Sequence, residues 1–547
     1  VVDTSNRFSN WLRDRLGLDE LPFFRTPDYM YKANYWLGAL VASAFVYAVV
    51  SGLILLLYYN PADPYDQTQY IINSVPYGSV VLFSHLYAAY AMILLAYVHM
   101  FRNYFVGAYK APRELVWLAG VLLLVLTMGA SFVGYSLVGD VLGVDAVGVG
   151  EGILGSFPGG SVLNALFFGN GTTQDTFTRL LAWHIILVAL IGLLFGLHFF
   201  MAERYGIMPT RRVKPTAPAV YTKEEESKFN PWWPRNFVYM MSLMLMTWGL
   251  ILIVPNVLAN VNGLPLLLNP HPAPSPSSPQ AASVPAYPPW FFLFFYKIAD
   301  FLMPNGAPYP PFGALLVAVL IPMVYLLLLP FLDRGKELHP FGRKFWTWVG
   351  VMLITYLVEM SVWGYLAPGV PEPFTDQVKV LLPPAVIAAI GVYAMGRTWS
   401  RRKVSLESPV LPKGTGPSPV TAFGLVVLGM LAVGTVGLAI NDPTVPGGAA
   451  AVALVLAFAA FARGFWRRSS GNTNQETVNR KARITLAETV MAVLFVVAVV
   501  LAFNMWTVPS TGPQSSLFGV DLGALLLMLG EALSLYHYAN YAVKASI

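Results

Sequence analysis

The chain of 547 residues contains no cysteine. This excludes disulfides, thiolate-held iron–sulfur clusters, covalent c-type haem and cysteine nucleophiles. Any metal must be held by His, Met or carboxylate. Charge is scarce too. Lys, Arg, Asp and Glu make up 11% of the residues, while 56% are hydrophobic. Soluble domains carry about 25% charged residues. A water-soluble enzyme of this length would need far more polar surface, so an all-α polytopic membrane protein is expected. The 46 Gly and 42 Pro do not signal disorder, because both are tolerated in transmembrane helices and their loops. The net charge of +6 does not point to nucleic acid, because the cations fall on one membrane face.

Twelve apolar runs follow an amphipathic start: 34–59, 78–101, 114–138, 180–202, 236–258, 312–332, 345–366, 378–396, 421–440, 447–465, 485–508 and 517–540. Most reach the ~20 residues that span a bilayer. The first 33 residues carry Arg7, Arg13, Arg15 and Arg25 and no apolar core, so a cleavable signal is not expected there. With the N-terminus inside and the spans alternating, 31 of the 34 Lys and Arg fall inside; only Arg179, Lys297 and Lys379 fall outside. That asymmetry supports twelve spans with both termini cytoplasmic, because a missed span would invert the count downstream.

The expected organisation is a cytoplasmic N-terminal segment (1–33), a four-span bundle (34–235), four further spans with a long outer loop (236–397), a basic cytoplasmic linker (398–420) and a four-span extension (421–547). The outside segments 139–178, Gly-rich and acidic, and 259–311, Pro/Ser-rich, are long, and long ordered loops tend to be functional.

Only seven histidines are present. Four lie in two apolar spans, as His85 and His99 and as His184 and His198, each pair fourteen residues apart. Fourteen residues turn roughly 1400°, about 40° short of four full circles, and rise ~21 Å. Each pair therefore shares one helix face. Both spans run from outside to inside, so His85 is level with His184 and His99 with His198. Gly38 and Gly52, and Gly120 and Gly134, repeat the fourteen-residue spacing on the other two spans. Glycine lets a backbone approach a flat macrocycle where a side chain would collide. Two bis-histidine haem sites stacked across the membrane are expected. A lone intramembrane His is often a hydrogen-bonded core residue, and a lone Gly pair often only packs helices; the duplicated spacing outweighs that reading. His271 and His339 are read as structural. His537, with Glu531 in the last span, is read as structural or as a subunit contact.

Spans one to eight, roughly residues 30–397, resemble cytochrome b of the quinol:cytochrome c oxidoreductase (cytochrome bc) family. The resemblance rests on the ligand spacing and on five segments: Tyr109-Lys-Ala-Pro-Arg-Glu, Gly134-Tyr-Ser-Leu, Thr178-Arg-Leu-Leu-Ala-Trp-His, Pro330-Phe-Leu-Asp-Arg, and Pro288-Pro-Trp-Phe in place of the family's Pro-Glu-Trp-Tyr. The four extra spans, the lost carboxylate and the missing cysteines resemble an archaeal, Sulfolobales-type cytochrome b of a quinol oxidase supercomplex. The resemblance implies that His85 and His184 ligate an outer haem and His99 and His198 an inner one, b-type or a modified a-type. It sets Arg102 and Arg179 beside the haem groups, where an ordinary cation at a membrane interface is an equally good reading. An outer quinol site would be built from Gly134–Phe157 and Tyr287–Asp300, with Tyr135, Tyr287, Trp290 and Phe291 as its working residues. Pro289 stands where the family has Glu, leaving Tyr135, Asp140, Glu151, Tyr287, Asp300 and Glu359 as candidate proton acceptors. An inner quinone site would lie near Lys223–Trp233. The implied partners are a Rieske iron–sulfur protein, a terminal oxidase or other respiratory subunits, membrane quinone and a second copy of the chain. The implied reaction is quinol oxidation of the Q-cycle type, with protons released outside the cell membrane. Two other readings fit the residues: a dihaem electron conduit without a bifurcating quinol site, and a non-redox transporter with broken helices. The tail is expected to be dispensable for haem binding and to offer packing surface to partner subunits.

Overall fold

In the computed structural model, residues 25–205, 207–401 and 476–543 are described. The expected spans at 421–440 and 447–465, most of the linker and most of the N-terminal segment lie outside them. The described residues are helical; their only β features are isolated bridges such as Thr26 with Asn230. Ten helices among them are long and apolar enough to cross a membrane. We number the helices α1 (Leu37–Leu56), α2 (Pro64–Ser74), α3 (Gly78–Val106), α4 (Glu114–Ser136), α5 (Val141–Gly155), α6 (Gly160–Phe167) and α7 (Thr173–Tyr205). There follow α8 (Phe237–Leu258), α9 (Leu293–Ala299), α10 (Pro311–Leu332), α11 (Lys344–Leu366), α12 (Phe374–Arg401), α13 (Glu476–Met505) and α14 (Ser516–His537).

Helix α1 packs on α3, and α4 on α7. The two pairs form facing walls. Midway between Gly38 and Gly52, Phe45 meets Phe195 of the opposite wall, with ring centroids 6.1 Å apart.

The outer segment 139–178 is helical, where the sequence suggested a loop. Asp140 caps α5 by accepting the Gly143 amide at 2.8 Å. Its other oxygen accepts the Ala273 amide at 2.8 Å, tying α5 to the second outer segment.

On the inner side, two of the motif segments meet in one buried cluster. Lys110 pairs with Asp333 at 2.7 Å and Arg343 with the same carboxylate at 3.2 Å. The Tyr109 hydroxyl donates to it at 2.5 Å. Burial pulls the Lys110 ammonium below its ordinary range, and Asp333 opposes that pull. Removing one partner of a buried ion pair costs about 3–5 kcal/mol. Asp333→Ala would strand two buried cations and is expected to lower stability by that order. A shift in thermal unfolding midpoint of the detergent-solubilised protein measures it; an unchanged midpoint would mean the cluster is solvated.

The tail is part of the body. Helix α14 lies along α8 with glycines at the crossing: a Cβ on Gly523 would sit 2.7 Å from the Gly249 carbonyl oxygen, and one on Gly249 would sit 2.7 Å from that of Gly523. Ile253 and Val257 of α8, Val490 and Leu494 of α13, and Ala524, Leu527 and Met528 of α14 form one buried cluster. Ser79 also meets Ser515 at 2.8 Å, and Asn260 donates to Ser516 at 2.9 Å. The face of α14 turned to α8 and α13 is taken by this chain, so a packing surface for other subunits would have to lie on the rest of the tail. Gly523→Leu is expected to destabilise the whole protein, because the side chain meets backbone. Detergent stability equal to that of the unaltered chain would show that α14 can detach.

Candidate haem and quinol site

Each of the four intramembrane histidines sits against one of the four spaced glycines. An added Cβ would lie 2.7 Å from His184 Cε1 at Gly134, 3.0 Å from His85 Cε1 at Gly52, 3.2 Å from His198 Cε1 at Gly120 and 3.4 Å from His99 Cε1 at Gly38. Two levels result. The outer holds Gly52, His85, His184 and Gly134; the inner holds Gly38, His99, His198 and Gly120. The levels match the sequence reading, but the glycines make room for the imidazoles themselves.

A second repeat lay outside the sequence reading. The His184 Nδ1–H donates to the carbonyl of Ala130, four residues before Gly134, at 3.0 Å. His85 is held differently: its Nδ1 lies 3.0 Å from the Ser51 hydroxyl, which is itself 3.1 Å from the Ala48 carbonyl, four before Gly52. His198 Nδ1 is turned toward Val116, four before Gly120, but without good hydrogen-bond geometry. In a helix the Ala130 carbonyl already accepts the glycine's own amide; its second lone pair takes the imidazole proton of His184. This fixes the tautomer and leaves Nε2 as the free ligand atom. His99 differs, because α1 begins only at Leu37. The Asn103 amide N–H, one turn below, points at His99 Nε2 at 3.2 Å, and the Asn103 carbonyl oxygen accepts from Arg102 at 2.8 Å. Arg102 therefore acts through Asn103, and its guanidinium also covers the Tyr35 ring. Arg179 pairs with Asp175 at 3.3 Å on the outer surface.

The donor set fits haem. The His85 and His184 ring centroids are 6.5 Å apart. Two imidazoles bonded at about 2 Å to one metal would place their centroids roughly 6 Å apart. No group of three or more His, Cys, Asp or Glu that could cage a bare ion exists among the described residues. Two axial nitrogens alone suit a metal whose other ligands come from a macrocycle.

Beside the outer level lies a cavity of about 840 Å³, within the usual ligand-pocket range. Val133 and Tyr135 flank Gly134 and line it, as do Trp183 beside His184, Leu142 and Asp145 of α5, and Tyr287, Pro288 and Pro289. The two outer segments thus converge as expected. Trp290 and Phe291 are not among the lining residues; both pack on Tyr90, and Phe292 lines the cavity instead.

Several expected proton acceptors are engaged elsewhere. Asp140 is buried in its two amide bonds. Asp300 and Glu372 share the buried Lys297, at 3.5 and 2.6 Å. The Tyr287 hydroxyl donates to the Tyr365 carbonyl at 3.2 Å. Glu151 and Glu359 do not line the cavity. On the inner side, Lys223–Ser227 is a short helix closed by a Thr222–Glu225 capping box. His537 is buried against Tyr31 and Tyr239, which accords with a structural role, although within this chain.

Comparison with known proteins gives the same family. The family model described as cytochrome b (N-terminal)/b6/petB matches residues 90–276. The chain is 51% identical over 555 residues to cytochrome b of Sulfolobus acidocaldarius, covering 96% of each. It is 34% identical over 206 residues to cytochrome b6 of Gracilaria tenuistipitata var. liui, covering 36% of this chain and 96% of that one. A solved structure described as a hyperthermophilic respiratory complex III shares the fold with a TM-score of 0.53 and 23% identity, covering 71% of this chain and 97% of that one. Spaced ligands, helical bundle and near full-length identity agree: the chain belongs to the cytochrome b family.

Proposed function

We propose that this chain oxidises quinol at its outer face and conducts the electrons across the membrane between two bis-histidine haem sites, as the central subunit of a respiratory complex. Haem as cofactor and electron transfer in a respiratory chain come with the family. The number of haems, their ligands, the quinol and the direction are our reading. One observation carries it: an almost wholly apolar cavity runs along the bundle past both histidine levels, and the two outer segments, with Tyr135, Asp145 and Tyr287, line it. Haem supplies reversible one-electron chemistry. The chain's own residues would hold it: His85 and His184 outside, His99 and His198 inside, with the Ala130 carbonyl setting the His184 ring. A quinol ring would lie among apolar side chains, with the Tyr135 hydroxyl within the same cavity. On the family resemblance the second electron acceptor is a Rieske-type iron–sulfur protein, whose cluster would lie on a separate chain, since this one has no cysteine. A respiratory complex III is what the structural relative is called; for this chain, association with an iron–sulfur protein, a terminal oxidase and a second copy, and residence in the cell membrane, are parts of the proposal.

A reduced-minus-oxidised spectrum of the purified protein is expected to show two low-spin bis-imidazole haems; none would end the reading and leave a transporter. Quinol is then expected to reduce the outer haem, with sensitivity to quinol-site inhibitors. Haems that resist quinol would favour a simple conduit. Tyr135→Phe combined with Tyr287→Phe is expected to slow that reduction roughly tenfold, less than the ~100-fold or more of a full acid–base group. Unchanged single-turnover kinetics would remove both hydroxyls from the site.

A further inference from the structure

The family's motif carboxylate is replaced by Pro289, which has neither a titratable side chain nor an amide proton. Quinol oxidation still releases protons, and a base must stand within hydrogen-bond reach or one water of the hydroxyl. Among the described carboxylates, Asp145 alone lines the outer cavity. It does so from within an apolar stripe. Leu142, Asp145, Ala146, Val149, Gly150 and Ile153 of α5 all line the cavity, at the spacing of one helix face. A carboxylate at such a position gains nothing from packing. No hydrogen bond or ion pair engages it among the described residues, whereas Asp140 and Asp300 are both committed. The residue as a whole is exposed, as a group that passes a proton on must be.

Resting on the quinol-oxidation reading above, we propose that Asp145 is the catalytic base of the outer site and stands in for the missing motif carboxylate. As one quinol O–H bond breaks, the proton forms the carboxyl O–H of Asp145, which then releases it to outside water. The other proton leaves with the iron–sulfur partner. The two electrons leave to one-electron acceptors, one of the iron–sulfur class and one of the haem class. The groups facing Asp145 are Tyr135 from α4, Asp140 at the start of its own helix and Tyr296 from α9. Tyr287 and Tyr356 line the same cavity. None is a cation, and Lys297 is turned into Glu372. Partial burial raises the carboxyl above its ordinary range, which makes it a stronger base than a free aspartate.

The test is single-turnover haem reduction by a short-chain quinol across the acid range, in the unaltered protein, Asp145→Asn and Asp145→Glu. The base must be ionised, so the unaltered rate is full above the Asp145 pKa and falls as pH drops through it. Asp145→Asn is expected to be slower by about 100-fold, the lower bound typical of general base catalysis, and to lose that acid limb; Asp145→Glu restores it. In reaction-induced infrared difference spectra, a protonated-carboxyl band is expected in the unaltered protein and absent from Asp145→Asn. Binding of a quinol-analogue inhibitor and the haem spectrum are expected to be unchanged. An Asp145→Asn protein with the unaltered rate, acid limb and carboxyl band would overturn the assignment. If the unaltered protein itself is not reduced by quinol, the failure belongs to the quinol-oxidation reading.

Discussion

His99→Leu and His198→Leu are each expected to remove the same haem, the inner one, and to leave the outer haem's absorbance in place. About half of the total haem should disappear in either variant, with the same band missing. The expectation follows from two independent contacts. His99 rests against Gly38 on one wall and His198 against Gly120 on the other, and the two rings are close enough to interact electrostatically. A leucine offers no lone pair, and the described residues provide no third nitrogen at that level to replace it. The mirror experiment is His85→Leu and His184→Leu, which should remove the outer band. If His85→Leu and His198→Leu lost the same haem, the two levels would be wrongly paired.

Filling the glycine positions is the second large effect, and it should be graded. The Cβ approach is 2.7 Å at Gly134, 3.0 Å at Gly52, 3.2 Å at Gly120 and 3.4 Å at Gly38. Gly134→Ala is therefore expected to damage the outer haem most and Gly38→Ala to be nearly silent. The His184 ring cannot retreat cheaply, because its Nδ1 is bonded to the Ala130 carbonyl. Moving it would take Nε2 off the metal. Overpacking costs about 1–3 kcal/mol even in ordinary cores, and roughly 1.4 kcal/mol is tenfold in occupancy. Gly134→Leu should lose most of the outer haem with both ligands intact. Gly129, one and a half turns earlier, is the control: its Cβ would meet only Leu187 at 3.8 Å, so Gly129→Ala should keep full haem. Haem content per protein, measured after reduction, decides it. Equal occupancy in Gly134→Leu and Gly129→Ala would mean that these glycines only pack helices.

The two histidine levels could be read from the sequence because an α-helix converts spacing into facing. His85, His99, His184 and His198 needed only a period and a direction, and the Lys and Arg asymmetry supplied the direction. The ring-orienting groups were less visible. Ala130 acts through its backbone carbonyl, which no residue type announces. Asn103, four residues after His99, could have been found by the same periodicity. Helix α5 was hidden by its glycines, since glycine is a poor helix former; Gly150 is needed there because an added Cβ would sit 2.7 Å from the Phe168 ring and 3.0 Å from that of Phe132. The cavity was legible as two converging segments. Which side chains line it was not, because the turn at Trp290–Phe292 decides between Phe291 and Phe292. The role of α14 was illegible for a different reason: its partner α8 ends more than 250 residues earlier, and single-sequence patterns carry no long-range pairing.

That separation bears on how the protein is made. Helix α8 is threaded into the bilayer long before α14 exists, and at about 5–20 residues per second the interval is roughly 13–50 s. Throughout it, the small-residue groove around Gly249, with the polar Asn256, faces lipid or an insertion factor. Helix α14, once it emerges, closes that groove. A nascent chain that stalls before residue 516 would display an unclosed polar groove, a mark by which membrane quality control can recognise it.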